Sequence, residues 1–407
     1  SLGDIVWLKD GYYYSRFYRK GKTPDGVKAP AERIFYRSGR SDEMVFGEGL
    51  PTSYFISLTS STDNTHALLT IGYGWSWSQV YGGLLGRPET WNKVYGDKFI
   101  AYPIDYVADG YLVASFEGDG NGKILYVGKG KVRVIVSEKK YPLTNAIVLR
   151  NKIYVNYLED TSSTIYIYDL NGKMLKRWKP TPPGTITFTD NTGKRGFLRY
   201  TSFTIPYRTY LIEEKFSMWE ESSISGEFEV LEEWTNSWDK TPIHMFVLKR
   251  RGTCLEKVLV YGYGGFRISL TPVYNPLALL LAERGGVFVV ANIRGGGEYG
   301  EKWHRDGMRE NKQNVFEDFK SVLKYFKEKG ARVVAIGFSN GGLLVAAVLT
   351  QSPELLDGAV IGYPVIDMLR FHKLYIGRAW VPEYGDPERE EDRKFFLKYS
   401  PYHNVKN

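Results

Sequence analysis

A single cysteine, Cys254, leaves no internal disulfide possible and suits a reducing cytoplasm, which is the expected location. No apolar run approaches the length that crosses a bilayer, so no membrane partner is expected. Histidines number only five, and they form no metal-ligand cluster with the lone cysteine; no metal or other cofactor is expected. The stretch "RGGGEYG" (Arg294–Gly300) lacks both the Lys-Ser/Thr ending of a phosphate loop and the glycine spacing of a dinucleotide site. A net charge of +8 raises the question of nucleic acid. Lys and Arg are scattered among Asp and Glu, however, and no recognition-helix, zinc-finger or RNA-binding signature is present. The charge reads as a solvated, mildly basic surface, and no nucleic-acid partner is expected.

What is present is an ordinary globular composition, 43% hydrophobic and 25% charged, rich in Tyr (31) and Trp (10), which favour strands. A length of 407 residues allows two or three domains with large cores. Two rhythms divide the chain. Over residues 1–218 short strands and turns repeat. A turn-plus-strand unit appears as "KDGYYYSRF", "DNTHALLTIGY", "ADGYLVASF", "RNKIYVNYL" and "GKRGFLRYTSF", followed by "RIFYR", "NKVYG", "KILYV", "TIYIY" and "RTYLIEE". Units recur roughly every 40 to 55 residues, the spacing of four-stranded propeller blades. About four to five blades are visible, fewer than a closed ring of roughly seven. A pair of packed β-sheets is the alternative. An open arc exposes raw strand edges, and the chain opens at Ser1 inside a strand pattern. Blades before Ser1 are therefore expected.

After a transition near Phe216–Trp238, residues 219–407 alternate strands and helices. "KVLVYGYGGF" runs from strand into a Gly-rich turn, "GVFVVANIRGGG" is a buried strand, and "NVFEDFKSVLKYFKEKG" is an amphipathic helix. Val315, Phe316, Phe319, Val322, Leu323 and Phe326 form its apolar face, and Gly330 ends it. This alternation predicts a doubly wound, mostly parallel sheet.

In such a sheet, "RVVAIGFSNGGLLVAAVL" places Ser339 at a strand-to-helix corner, within Gly337-Phe338-Ser339-Asn340-Gly341. The G-x-S-x-G pattern reads as a nucleophile elbow. The glycines are required because a Cβ at either position collides across the turn. The helix starting at Asn340 points its free N–H groups at a developing oxyanion. A serine that merely caps the helix is the plainer alternative.

From Tyr261 onward the chain resembles the peptidase domain of the prolyl oligopeptidase family. The resemblance lies in "YGYGGF" (Tyr261–Phe266), "ANIRGGGEYGEKWH" (Ala291–His304), "NKQNVFEDF" (Asn311–Phe319), "GFSNGGLLVAA" (Gly337–Ala347), "DMLRFHKLYIGRAW" (Asp367–Trp380) and "KYSPYHNVK" (Lys398–Lys406), in that order. The first 215 or so residues resemble that family's β-propeller by pattern rather than by motif. The resemblance implies a partial β-propeller and an α/β-hydrolase domain. It also implies a serine endopeptidase that cleaves short peptides after proline, with the propeller excluding folded proteins. It assigns Ser339 as nucleophile, and the Asn340 backbone N–H and the Tyr263 phenol as oxyanion donors. Phe266, Val365, Trp380 and Tyr384 become the pocket for the proline ring. Taken alone, Tyr263 is a packing residue of a turn, and the four pocket residues are ordinary core.

A serine nucleophile needs an imidazole base, and in this fold the acid and the histidine follow the serine along the chain. His372 and His403 follow Ser339, but both fall in stretches where the family carries a histidine without catalytic duty; Asp367 likewise matches a non-catalytic position. The expectation is that the final strands of the sheet and a C-terminal segment with the Asp and His lie outside these residues, and that such a segment completes the site. Two alternatives stay open: a related oligopeptidase acting on basic or acylated residues, and a propeller-based binding protein with an inactive hydrolase domain.

Overall fold

A computed structural model describes residues 2–118, 120–224 and 226–406. The first half is five sheets of four antiparallel strands each, spanning residues 2–46, 54–95, 101–136, 143–178 and 185–222. Within each sheet the strands follow chain order, as in propeller blades. The five turn-plus-strand stretches become the second strand of their sheets, for example Lys152–Glu159 and Gly196–Ser202. Tight hairpins join them. Ala108-Asp109, Arg150-Asn151 and Asp160-Thr161 all have positive φ at both positions, the two-residue turn whose twist matches that of the strands.

One strand assignment differs from the sequence reading. "NKVYG" supplies the fourth strand of the second sheet (Asn92–Tyr95), and the third is Trp77–Leu84. That strand hides its pattern behind Gly82 and Gly83, where a Cβ would lie 2.6 Å from the Tyr111 ring and 2.4 Å from the Thr90 carbonyl oxygen. Close packing, rather than flexibility, selects glycine there.

The second half is one six-stranded sheet. Its strands are β1 (Phe228–Asn236), β2 (Pro242–Arg250), β3 (Lys257–Tyr261), β4 (Val287–Asn292), β5 (Arg332–Phe338) and β6 (Gly358–Gly362), in the order β1-β2-β4-β3-β5-β6. The β4–β3, β3–β5 and β5–β6 pairings are parallel, while β1–β2 and β2–β4 are antiparallel. The first strand of the antiparallel hairpin, β1, falls in the stretch read as a transition, and β2 follows it. β1 is half-exposed and carries charge ("FEVLEEWTN"), so it lacks the apolar run of a central strand.

Helices α1 (Pro276–Glu283), α2 (Glu301–Arg305), α3 (Lys312–Glu328), α4 (Asn340–Gln351), α5 (Val381–Tyr384) and α6 (Glu390–Tyr399) surround the sheet. The six apolar residues predicted for α3 are all fully buried in the main core. Each such side chain stabilises the fold by about 1.5–3 kcal/mol relative to exposure. α4 is buried from Asn340 through Val348, so no polar face is available to it. The two halves meet at several points. Arg267 lies 4.1 Å from the Phe116 ring centroid, the Glu301 N–H donates to the Gly120 carbonyl at 3.2 Å, and Thr185 Oγ1 donates to the Pro272 carbonyl at 2.7 Å.

Candidate active site

Because β3 and β5 are parallel neighbours, the turns after them leave the same edge of the sheet side by side. The turn after β3 carries Tyr263 and the one after β5 carries Ser339. The loop after β6, with Val365, leaves that edge too. Open α/β sheets bind ligands at such an edge.

Ser339 sits at φ 55°, ψ −117°, a left-handed conformation that costs a residue with a side chain about 1–3 kcal/mol. The surroundings impose it. The Ser339 N–H donates to the Gly362 carbonyl at 3.0 Å, and its carbonyl accepts from the Leu343 N–H at 3.1 Å. A Cβ on Gly337 would lie 2.0 Å from the Gly341 carbonyl oxygen, and one on Gly341 would lie 2.7 Å from the Gly262 carbonyl oxygen. Backbone occupies both spaces, so the turn closes only with glycine. The Ser339 side chain is half-buried, and its hydroxyl acts on the Tyr263 phenol electrostatically. Burial raises the pKa of that phenol above its ordinary value, and the neighbouring Ser339 hydroxyl only partly offsets this. Tyr263 therefore keeps its proton at physiological pH. The first N–H groups of α4, beginning with Asn340, have no intrahelical acceptor.

Two of the predicted pocket residues, Phe266 and Tyr384, meet beside Asn340. The Tyr384 hydroxyl donates to Asn340 Oδ1 at 2.9 Å, and the Phe266 and Tyr384 rings meet edge-on at 5.3 Å. Val365 and Trp380 are half-buried against the same core cluster as Phe266 and Tyr384. A further aromatic, Trp75 of the second propeller sheet, packs edge-on against Phe266 at 4.8 Å. Sequence reading missed Trp75, since nothing local in "GYGWSWSQV" says that this turn reaches another domain. It also missed Glu383, buried within "RAWVPEYG", which accepts the Phe266 N–H at 2.8 Å and lies 2.8 Å from His304 Nε2. A carboxylate inside an aromatic motif was the available signal.

Among the described residues no histidine is hydrogen-bonded to Ser339. His372 pairs with Glu388 at 2.7 Å, His403 with Ser400 Oγ at 2.8 Å and His304 with Glu383; His244 contacts Asn292 at 2.8 Å, and His66 stacks on Tyr106 at 3.5 Å. Asp367 is committed to Arg370 and to the Leu369 N–H. Among the described residues no group of three or more His, Cys, Asp or Glu is placed to hold a metal ion, and no helix is long and apolar enough to cross a membrane.

Comparison with known proteins fits this geometry. The sequence description "Prolyl oligopeptidase, N-terminal beta-propeller domain" matches residues 1–216, and "Prolyl oligopeptidase family" matches residues 273–407. The chain is 31% identical to prolyl oligopeptidase ophP of Omphalotus olearius, over 98% of this chain and 59% of that protein. It is 35% identical to a prolyl endopeptidase of Elizabethkingia miricola, over 100% of this chain and 61% of that one. One solved structure, from a study of two prolyl endopeptidases, superimposes with a TM-score of 0.91 at 28% identity, covering 99% of this chain and 63% of that one. Prolyl oligopeptidase B of Galerina marginata, bound to a 25-residue macrocyclization substrate, gives 0.90 at 26% identity, covering 99% of this chain and 61% of that one. The chain thus spans about three-fifths of the length of the curated relatives it matches. With its blade-like sheets, its hydrolase sheet and its elbow serine, this chain belongs to the prolyl oligopeptidase family.

Proposed function

We propose that the protein is a serine endopeptidase that cleaves short peptides on the carboxyl side of proline. Ser339 Oγ attacks the scissile carbonyl carbon while an imidazole base takes its proton. The oxyanion is stabilised by the Tyr263 phenol and the Asn340 N–H. Collapse of the tetrahedral intermediate releases the amine, which receives the proton, and leaves an acyl-Ser339 ester that water hydrolyses. The proline ring sits among Phe266, Val365, Trp380 and Tyr384, whose flat apolar faces suit a compact ring.

The observation that carries this reading is Ser339 held at φ 55° on a strained strand-to-helix corner that only its flanking glycines permit. Every histidine here is engaged elsewhere, so the reading takes the base and its acid from a segment outside residues 1–407 that docks beside β6. The division into residues 1–218 and 219–407 belongs to the same reading, with its boundary moved to follow Ser222, where the last propeller strand ends. The propeller half is proposed to admit oligopeptides and exclude folded proteins. Cys254 is free and exposed, which supports a reducing, cytoplasmic location.

The test uses the full-length protein, a fluorophosphonate probe and chromogenic peptides with Pro, Arg or an acylated residue before the scissile bond. The expected result is label on Ser339, preference for Pro, and loss of both label and turnover in Ser339→Ala. Label on another serine overturns the nucleophile assignment, and preference for Arg overturns the pocket.

A further inference from the structure

The Tyr263–Phe266 turn is gripped by side chains from three separate elements. Asn340 Nδ2 of α4 donates to the Tyr263 carbonyl at 2.6 Å. Lys312 Nζ, at the start of α3, donates to the Gly264 carbonyl at 2.7 Å. Glu383 of α5 accepts the Phe266 N–H at 2.8 Å. The turn needs holding. Phe266 is at φ 58°, a conformation costly for a residue with a side chain, which an unsupported loop leaves readily.

Two of the three grips are charged and wholly out of water. Lys312 is 1% exposed and Glu383 is 0% exposed. The ammonium lies 5.5 Å from the Tyr384 ring centroid, and Glu383 is its carboxylate counter-charge. Behind Glu383 the charges alternate. His304, also fully buried, bonds Glu383 through Nε2, and its Nδ1 lies 3.6 Å from Glu301 Oε1. Glu301 in turn faces Arg267 at 3.4 Å and Arg305 at 3.1 Å. Buried ion pairs are poor sources of stability, because apolar residues of the same volume often do as well or better. What a buried charge does supply is a directional bond at a fixed place, strong in a low-dielectric surrounding.

We infer that Lys312, Glu383 and His304 form a buried clamp that positions the Tyr263 phenol for oxyanion binding. Lys312 and Glu383 hold the turn directly, and His304 holds Glu383. All three are positioning residues, since none touches the reacting atoms. The inference rests on the reading of Tyr263 as an oxyanion donor.

The experiment is a double-mutant cycle in the full-length protein. Lys312→Met and Glu383→Gln are made alone and combined with Tyr263→Phe, and kcat, KM and thermal unfolding are measured. Alone, each is expected to lower kcat roughly 10- to 100-fold, because misplacing a catalytic group by about 1 Å has effects of this size. Lys312→Met should leave KM within about threefold, since the buried ammonium touches no substrate. In the Tyr263→Phe background the same substitutions should cost less than about threefold, because the hydroxyl they position is already gone. Equal losses in both backgrounds, or no loss in the single variants, overturn the clamp. Should Glu383→Gln fail to fold, Lys312→Met completes the cycle. If neither accumulates as folded protein, the cluster serves folding and the inference falls. Failure of the underlying assignment shows separately, as a Tyr263→Phe variant with unchanged kcat.

Discussion

Asn340 and Tyr263, 77 residues apart in sequence, are joined by a 2.6 Å hydrogen bond from the Asn340 side-chain amide to the Tyr263 main-chain carbonyl. The residue after the nucleophile thereby carries the loop that brings the phenol. The Asn340 N–H and the Tyr263 hydroxyl are the two proposed oxyanion donors, and this bond ties together the segments that bear them. Oxyanion stabilisation depends on donors fixed before charge develops, so such a link is where precision is built.

Tyr263→Phe removes one hydroxyl and keeps the ring. Losing one oxyanion donor typically costs about 2.7–4 kcal/mol, or roughly a hundred- to thousandfold in rate. The loss should fall on kcat, measured with a peptide whose chemical step limits turnover. Activity within twofold of the parent would mean that Tyr263 only packs.

Residues 1–407 by themselves should cleave a proline-containing chromogenic peptide at near-background rates. Every histidine they contain is paired away from Ser339. Binding and oxyanion stabilisation alone leave only a weak residual rate over water. Turnover at rates typical of enzymes would show that a base lies within these residues, and His372→Ala and His403→Ala would then identify it.

Gly337→Ala should lower stability by at least about 2 kcal/mol, the scale of overpacking a tight interior. Its Cβ would lie 2.0 Å from the Gly341 carbonyl oxygen, which belongs to the backbone of the elbow and cannot swing aside. Denaturant unfolding measures the change, and the fluorophosphonate label on Ser339 should weaken with it. A variant of unchanged midpoint would show that the corner relaxes freely.

His304 gives the fold a pH signature. Burial works against its charge, but the Glu301 and Glu383 carboxylates outweigh that, and its pKa is raised to about 9. A group held above its unfolded value of about 6.5 contributes stability in full below that value. The contribution is lost as pH rises through about 9. The stability gap between the parent and His304→Gln should therefore shrink between these two pH values. Burial lowers the Lys312 pKa to about 8, an effect of opposite sign present in both proteins. A gap that stays constant across the window would mean that His304 is neutral in the fold.

Local chemistry made much of this protein readable in one dimension. The α3 face was legible because a 3.6-residue period leaves few alternatives once six apolar side chains recur on it. The elbow was legible because its glycines answer a steric demand within five residues of chain. The charged edge strand β1 was not, since an exposed antiparallel edge tolerates residues that resemble a linker. The third strand of the second sheet was lost because Gly82 and Gly83 answer to Tyr111 and Thr90, partners that the local pattern does not display.

Sequence alone thus determined the class of each half and the corner on which Ser339 stands, because periodicity and turn sterics act between near neighbours. Tertiary structure alone decided that Trp75 of the propeller half meets Phe266, and that Lys312, Asn340 and Glu383 converge on one turn. Those contacts join segments 48 to 191 residues apart. Their energies depend on burial and counter-charge, and both exist only once the sheet has brought its loops to a common edge.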